Sequence, residues 1–270
     1  MDENNWEART KLLLGNERTD KLQNANILIV GLGGVGAYAV EQLCRAGIGK
    51  MTIVDGDKVH PSNRNRQLGA LISNERQYKT DIIASRLRDI NSEIKLEVIN
   101  EYLIDHRLIE VVKSASFDYV IDAIDTLSPK IQLIHQTLLS GLPLISSMGV
   151  GGRMDPSLVH IADISQTHLC PLADILRKRL HKLDIYKGFK AVFSTELIPK
   201  HAIVVKDNEP NRKSCVGTIS YMPPIFGCLI ASVVIRELLG ENIQSNLHIP
   251  HSVRRKIKLK DKVVEINEEH

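Results

Sequence analysis

Aromatic residues and cysteines are scarce in this sequence of 270 residues. Phe, Trp and Tyr together make up 4% of the chain, which disfavours recognition of a partner through broad aromatic stacking platforms. The four cysteines lie far apart and form no Cys-x-x-Cys pair. The sequence therefore predicts reduced thiols, a cytoplasmic location and no zinc site.

The sequence also lacks a large excess of charge of one sign and a long hydrophobic run. Its 35 basic and 32 acidic residues leave a formal net charge of +3, which is too near balance to indicate a polyanionic partner. The polar, acidic first residues do not resemble a secretion signal. The apolar run 225–235 is shorter than the roughly 20 residues that a membrane-spanning helix needs. We therefore expect a buried helix with Cys228 in the core, and no stable membrane insertion.

Apolar strands alternate with amphipathic helices through the first half of the chain. Strands are predicted at 26–31, 51–55, 96–99, 119–123 and 144–147, and helices from near residues 34, 78, 106 and 129. This rhythm predicts an α/β fold, namely a Rossmann-like, doubly wound and mainly parallel sheet.

The rhythm changes after residue 150, which predicts a C-terminal α+β elaboration on the sheet. Strands are expected at 158–164, 191–194 and 202–205, a basic helix at 172–183 and an apolar helix at 224–239. We divide the chain into an N-terminal arm (1–25), a nucleotide-binding core (26–150), the elaboration (151–240) and a tail (241–270), with 9–240 forming one integrated domain. The tail alternates like an exposed strand over 254–260 and is either a solvated terminus or a contact for RNA or another partner.

A glycine-rich turn follows the first strand and precedes the first core helix. Glycines in this position let phosphates approach the backbone at a helix N-terminus. Asp55 follows about 20 residues after the turn, the spacing at which a carboxylate accepts hydrogen bonds from ribose hydroxyls. Asp57 lies nearby and is either a second nucleotide contact or a turn residue. The candidate turn residues are Gly31, Gly33, Gly34 and Gly36.

Cationic and amide side chains follow the predicted strand that ends at Asp55. A nicotinamide site does not need these side chains. Asn63, Arg66 and Lys79 would suit a triphosphate, because arginine grips phosphate oxygens through paired hydrogen bonds. Asp122 and Asp125 end a later strand at the same predicted edge of the sheet. A carboxylate beside a triphosphate calls for magnesium between them, and we prefer Asp125 as the ligand.

Together these motifs resemble the adenylating domain of ThiF, MoeB and the ubiquitin-activating enzymes. The resemblance implies that the glycine turn and Asp55 hold ATP, that Asn63, Arg66 and Lys79 hold its phosphates, and that Asp125 binds magnesium. It also implies a homodimer in which Arg9 reaches the ATP of the neighbouring subunit as an arginine finger. The matching segments are 31–36, 55–57, 62–67, Lys79 and 121–125.

Segments 146–156, 171–180 and 192–196 resemble the TcdA (CsdL) branch of that family, whose members dehydrate threonylcarbamoyladenosine beside the tRNA anticodon. The resemblance implies ATP and tRNA as substrates, no DNA partner, a monovalent cation near the site, and a cysteine desulfurase or sulfur acceptor as a further partner. Cys215 is the better candidate for carrying sulfur. Residues of the basic helix would contact tRNA phosphates or form a solvated face. They are Arg177, Lys178, Arg179 and Lys182.

Three functions remain open at this stage. The first is an adenylating enzyme that modifies tRNA, and the second is an enzyme that activates the C-terminus of a ubiquitin-like sulfur carrier. The third is a nicotinamide-binding redox protein, which leaves Asn63, Arg66, Lys79 and Asp125 without a shared purpose. The lack of two Cys-x-x-Cys zinc pairs counts against the second.

Overall fold

A seven-stranded sheet organises the molecule. The computed structural model describes residues 5–205, 214–243 and 245. The strand order is β3-β2-β1-β4-β5-β7-β6, and every pairing is parallel except that of β6 with β7. The predicted Rossmann-like α/β fold is confirmed. The strands are Asn26–Val30 (β1), Lys50–Val54 (β2), Lys95–Ile99 (β3), Tyr119–Asp122 (β4), Leu144–Ser147 (β5), Val159–Asp163 (β6) and Lys190–Ser194 (β7).

Helices cover both faces of the sheet, so two apolar clusters form, one on each face. β1 and β4 read as short continuous apolar runs because their residues are buried on both faces, as in other parallel sheets. The helices are Ala8–Leu14 (α1), Asn16–Asn24 (α2), Gly36–Arg45 (α3), Lys79–Ile90 (α4), Asp105–Lys113 (α5), Leu127–Leu139 (α6), Pro171–Leu180 (α7) and Met222–Leu238 (α8).

The predicted N-terminal arm contains two helices that the sequence did not indicate. α2 buries only Thr19 and Leu22, so it has almost no apolar stripe that a periodicity search could detect. α1 buries no residue along its length. The side chain of Glu7, just before α1, lies against Gly47 in the loop that precedes β2. The arm is therefore anchored at the edge of the sheet where the strands begin.

The second half of the chain joins the same sheet through β6 and β7. A separate two-stranded ribbon pairs Ile203–Val205 (β8) with Ser214–Val216 (β9) in antiparallel register. The sequence predicted β8 but not the three-residue β9. The predicted tail strand at 254–260 lies outside the described residues.

The apolar helix α8 is largely buried, but Cys228 is exposed, so its predicted place in the core is wrong. The buried residues of α8 recur with helical spacing at 222, 226, 230 and 234, and Cys228 lies between these positions. The exposed side of this helix could not be predicted, because apolar residues occur on its exposed and buried sides alike. In the part of the chain that the structure describes, no helix combines the length and apolarity needed to cross a bilayer.

Candidate nucleotide-binding site

The glycine turn connects β1 to α3 in a conformation that depends on glycine. Gly31 has φ 97°, and a Cβ added there would lie 2.6 Å from the Ala123 carbonyl oxygen. A Cβ on Gly36 would lie 1.8 Å from the Gly31 carbonyl oxygen, so no other residue fits either position. The turn leads into the N-terminus of α3, and the N-terminus of a helix favours an anion through its backbone N–H groups and its dipole. Gly33 and Gly34 complete the turn.

Asp55 extends from the end of β2 into this turn. Its carboxylate accepts hydrogen bonds from the backbone N–H of Leu32 and of Asp57, each at 2.7 Å. Burial raises the pKa of Asp55 above its ordinary value, and the charge of Lys79 offsets this only in part. The carboxylate is thus fixed against the turn, at the edge of the sheet where a ribose would lie.

Lys79, at the start of α4, is 6% exposed and points at two carboxylates. Its ammonium lies 2.5 Å from Asp57 Oδ2 and 4.0 Å from Asp55 Oδ2. Tyr102 donates a hydrogen bond to Asp57, which raises the pKa of the tyrosine to about 12. The structure therefore brings Asp55, Asp57 and Lys79 together, and adds Tyr102, which the sequence did not single out.

Arg66 lies in the polar loop that follows β2. Its Nη1 donates to the Ser62 carbonyl oxygen at 2.9 Å and to Asn65 Oδ1 at 2.8 Å. The amide oxygen of Asn63 accepts from the backbone N–H of His60 at 3.0 Å and so fixes the start of this loop. The loop also lies against the glycine turn, because the Arg66 carbonyl oxygen is 3.2 Å from where a Cβ of Gly34 would be.

A buried ion pair holds the chain segment that leads to Asp125. Asp122 and Lys130 are both 0% exposed, and their charged atoms lie 2.7 Å apart. Lys130 Nζ also donates to the Ile124 carbonyl oxygen at 2.9 Å, while Asp122 accepts from the Ile124 N–H at 3.1 Å. Asp122 is thus occupied inside the fold, and Asp125 is exposed at the edge of the sheet. Sequence reasoning missed Lys130, whose partner belongs to a different element.

Residues 214–223, which we call the bridging segment, contact three loops of the candidate site. The Gly217 carbonyl oxygen accepts from the Gly152 N–H at 2.7 Å, beside the end of β5. The Thr218 carbonyl oxygen accepts from Asn65 Nδ2 at 2.8 Å. Pro223 Cβ is 2.9 Å from where a Cβ of Gly34 would be. The C-terminal half of the chain thus packs onto the glycine turn, the Arg66 loop and the loop after β5.

Two groups of predicted residues lie on other elements, namely on α1 and in or just after α7. Arg9 is exposed on α1, at the edge of the sheet opposite to the glycine turn. In the basic helix α7, Lys178 and Arg179 are exposed, as is Lys182 just beyond it. Arg177 differs, because its side chain is 19% exposed and donates to the Thr167 carbonyl oxygen at 2.6 Å. Arg177 is therefore partly buried and hydrogen-bonded within the fold, whereas the other three cations are exposed.

Comparison with known proteins agrees with the motifs and the fold. The ThiF family model matches residues 8–266. The chain belongs to the ThiF family. A tRNA threonylcarbamoyladenosine dehydratase of Bacillus subtilis is 36% identical over 241 residues, which cover 87% of this chain and 94% of the relative. The Escherichia coli tRNA threonylcarbamoyladenosine dehydratase TcdA, solved in complex with ATP, has 32% identity and a TM-score of 0.78, covering 89% of this chain and 97% of that one.

Another relative of this ThiF-family chain matches over a shorter region. A molybdopterin-synthase adenylyltransferase of Haemophilus influenzae is 35% identical over 131 residues, which cover 48% of this chain and 53% of the relative. Similarity to this adenylyltransferase thus extends over about half of the chain, whereas similarity to the dehydratases extends over most of it. The family recognised from the sequence motifs is confirmed.

Proposed function

We propose that this protein is an ATP-dependent adenylating enzyme that converts threonylcarbamoyladenosine in tRNA to its cyclic, dehydrated form. The observation that carries the proposal is the similarity to named dehydratases over 87% of the chain, together with the nucleotide-site geometry. The alternative, activation of a ubiquitin-like sulfur carrier, is supported by similarity over only about half of the chain. A nicotinamide-dependent reaction would leave Arg66, Lys79 and Asp125 unused.

The chemistry starts from a carboxylate, which is a poor electrophile because oxide cannot leave. The threonyl carboxylate would attack the α-phosphate of ATP and release pyrophosphate, giving an acyl adenylate. The carbamoyl group of the same nucleoside would then attack the activated carbonyl and expel AMP. This ring closure is intramolecular, so proximity supplies much of the rate and no enzyme cysteine is needed.

The residues of the site have complementary parts in this reaction. The glycine turn and the N-terminus of α3 would bind phosphate, and Asp55 would accept hydrogen bonds from the ribose. Arg66 and Lys79, with Asn63, would bind the phosphate oxygens and offset the charge that develops as pyrophosphate leaves. Lys79 keeps donors for this role, because an ammonium has three N–H groups and Asp57 occupies only part of them.

Asp125 is the carboxylate that fits a magnesium ion. Asp125 is an exposed carboxylate at the nucleotide edge, and magnesium is usually held by one or two carboxylates together with substrate phosphates. When bound, the metal ion would neutralise part of the phosphate charge. Asp122 is a poor candidate ligand, because Lys130 and Ser146 Oγ already occupy its Oδ2.

The tRNA would lie along the exposed cations of α7 and the turn after it. Lys178, Arg179, Lys182 and Lys187 are exposed in this region, and phosphate neutralisation is the main source of binding that does not depend on sequence. The aromatic residues of the protein are mostly buried or isolated from one another. This arrangement favours contact with tRNA phosphates over extended base stacking.

A homodimer would complete the site. Arg9 lies on α1 at the far edge of the sheet, so it can reach a nucleotide only in another subunit. The same helix carries Leu12 and Leu13, which are 73% and 82% exposed and would be covered in a dimer. Cys215 is exposed on β9 and remains the candidate acceptor of sulfur from a desulfurase partner. We expect the enzyme to act in the cytoplasm, where tRNA and ATP are available.

The test is a reaction of purified protein with magnesium, ATP and tRNA that carries threonylcarbamoyladenosine. After digestion of the RNA, mass spectrometry should detect a nucleoside that has lost one water, together with equal amounts of AMP and pyrophosphate. A parallel reaction replaces the tRNA with a small carrier protein ending in Gly-Gly. ATP turnover with the carrier alone would overturn the proposal in favour of the carrier-activating function.

A further inference from the structure

Asn65 uses both ends of its amide to join two parts of the candidate site. Its Nδ2 donates to the Thr218 carbonyl oxygen at 2.8 Å, and its Oδ1 accepts from Arg66 Nη1 at 2.8 Å. Asn65 and Thr218 are 153 positions apart in the sequence. An asparagine amide offers both donors and an acceptor, so one side chain connects the bridging segment to the guanidinium of Arg66.

The backbone on both sides of this connection is fixed. The Thr218 hydroxyl donates to the Val216 carbonyl oxygen at 3.1 Å, which shapes the turn after β9. The adjoining Gly217 accepts from Gly152, and so ties the same turn to the loop after β5. On the other side, Arg66 Nη1 donates to Ser62 as well as to Asn65. The acceptors that orient the guanidinium thus include Ser62 and Asn65, and Asn65 is itself positioned by the C-terminal half of the chain.

We propose that Asn65 is a positioning residue for Arg66, and that it makes the grip of Arg66 on the triphosphate depend on the seating of the bridging segment. The inference rests on the proposed function in taking ATP as the ligand of Arg66. Arginine loses much side-chain freedom when it is immobilised, so acceptors that orient it beforehand reduce the entropic cost of binding phosphate. The amide of Asn65 supplies such an acceptor without neutralising the charge of the guanidinium.

This connection also links the two substrates. The bridging segment contacts Gly151 and Gly152 at the carboxyl end of β5, where ligands of open parallel sheets bind. A displacement of this loop by the RNA substrate would be passed to Arg66 through Thr218 and Asn65. The position of the triphosphate is therefore coupled to the loop after β5, beside the proposed RNA substrate.

A double-mutant cycle with Asn65→Ala and Arg66→Ala tests the proposal. We expect Asn65→Ala alone to weaken ATP binding about tenfold, the effect of losing one hydrogen bond to a charged group. In the Arg66→Ala background the same change should alter ATP affinity by less than about twofold, because the group that Asn65 positions is absent. ATP dissociation constants are measured by equilibrium binding without RNA. The KM for ATP and kcat are measured in the reaction with tRNA.

Two further variants separate positioning from folding. Asn65→Gln keeps a neutral amide, with an acceptor for Arg66 and a donor for Thr218 on a longer side chain, so it should recover part of the ATP affinity that Asn65→Ala loses. Asn74→Ala is the matched control, because Asn74 is another loop asparagine that donates to a backbone carbonyl, that of Gly69, at 3.0 Å. It should bind ATP like the wild type. Thermal melting is compared for all variants.

Equal losses of ATP affinity from Asn65→Ala in the two backgrounds would overturn the proposal, as would an Asn65→Gln variant no better than Asn65→Ala. These outcomes are distinct from failure of the proposed function. A wild-type protein that binds ATP but leaves the modified tRNA unchanged refutes the dehydratase function. The dependence of ATP affinity on Asn65 and Arg66 is still measured in that case.

Discussion

At the scale of single residues, the candidate site depends on charges whose surroundings differ. Asp55 is fixed by two backbone N–H groups, Lys79 is buried beside two carboxylates, and Asp122 is neutralised by Lys130. Asp125 is exposed and lies at the edge where the phosphates would be. The sequence could indicate these residue types at the ends of strands. It favoured Asp125 over Asp122 as the metal ligand, but it could not indicate that Asp122 is buried against Lys130, because Lys130 lies in the following helix.

Replacement of Asp125 tests its assignment to magnesium. We expect Asp125→Ala to lower turnover of ATP and tRNA at least about a hundredfold, because the metal ion would lose its protein ligand. The measurement is release of pyrophosphate in parallel with formation of the dehydrated nucleoside. Asp89→Ala, which removes an exposed carboxylate from α4, is the control. Full activity of Asp125→Ala would show that this carboxylate is not the metal ligand.

Replacement of Lys130 tests the buried ion pair. Lys130→Met leaves the Asp122 carboxylate buried without a counter-charge, so the free energy of unfolding should fall by about 3–5 kcal/mol. Denaturant unfolding followed by circular dichroism measures this change. The double variant Lys130→Met with Asp122→Leu should recover much of the loss, since replacing a whole buried pair by apolar residues is often neutral. An unchanged unfolding midpoint in Lys130→Met would contradict the account.

At the scale of secondary-structure elements, the five parallel strands of the first half could be predicted because each carries closely spaced apolar residues, although β3 alternates polar and apolar positions. α2 and β9 could not be predicted in this way. α2 buries only two residues, and β9 is only three residues long, so neither element leaves a periodic signal in the sequence. The contact between Asn65 and Thr218 is also invisible in the sequence, because it depends on how the ribbon packs onto the sheet.

The basic helix α7 gives a prediction at this scale. The combined change of Lys178, Arg179 and Lys182 to alanine should weaken tRNA binding and reduce its salt dependence. The log–log slope should fall by about 0.7–0.9 for each phosphate that the variant no longer neutralises. Arg177→Ala should instead lower the melting temperature with little change in the slope, because Arg177 is bonded to Thr167. Filter binding over a range of salt concentrations measures the slope.

The control for this experiment is Lys113→Ala, which removes an exposed lysine from α5. It should leave the affinity and the slope unchanged. A triple variant with the slope of the wild type would mean that the exposed cations of α7 do not bind RNA phosphates.

At the scale of the whole molecule, the sheet separates two groups of candidate site residues. The nucleotide elements lie where the parallel strands end, and α1 with Arg9 is anchored near Gly47, where β2 begins. The Glu7 contact thus places the start of α1 at the end of the strands opposite to the glycine turn. The sequence motifs could not predict this separation, since it depends on how the arm packs.

Complementation between two inactive variants tests whether Arg9 acts across subunits. We expect Arg9→Ala and Asp125→Ala each to be strongly impaired, whereas a mixture that has exchanged subunits should regain activity. In the mixed dimer one site combines an intact Asp125 with Arg9 from the other subunit. Analytical ultracentrifugation checks that dimers form. A mixture no more active than the separate variants would contradict an arginine finger supplied by the partner.

The most direct test of the whole account follows the oxygen atoms of the substrate. The tRNA is prepared with a heavy oxygen isotope in the threonyl carboxylate and incubated with magnesium and ATP. If that carboxylate is adenylated before ring closure, one of its oxygens leaves with the phosphate, so mass spectrometry should find one heavy oxygen in each AMP formed. AMP without the label, despite formation of the dehydrated nucleoside, would contradict an acyl adenylate intermediate.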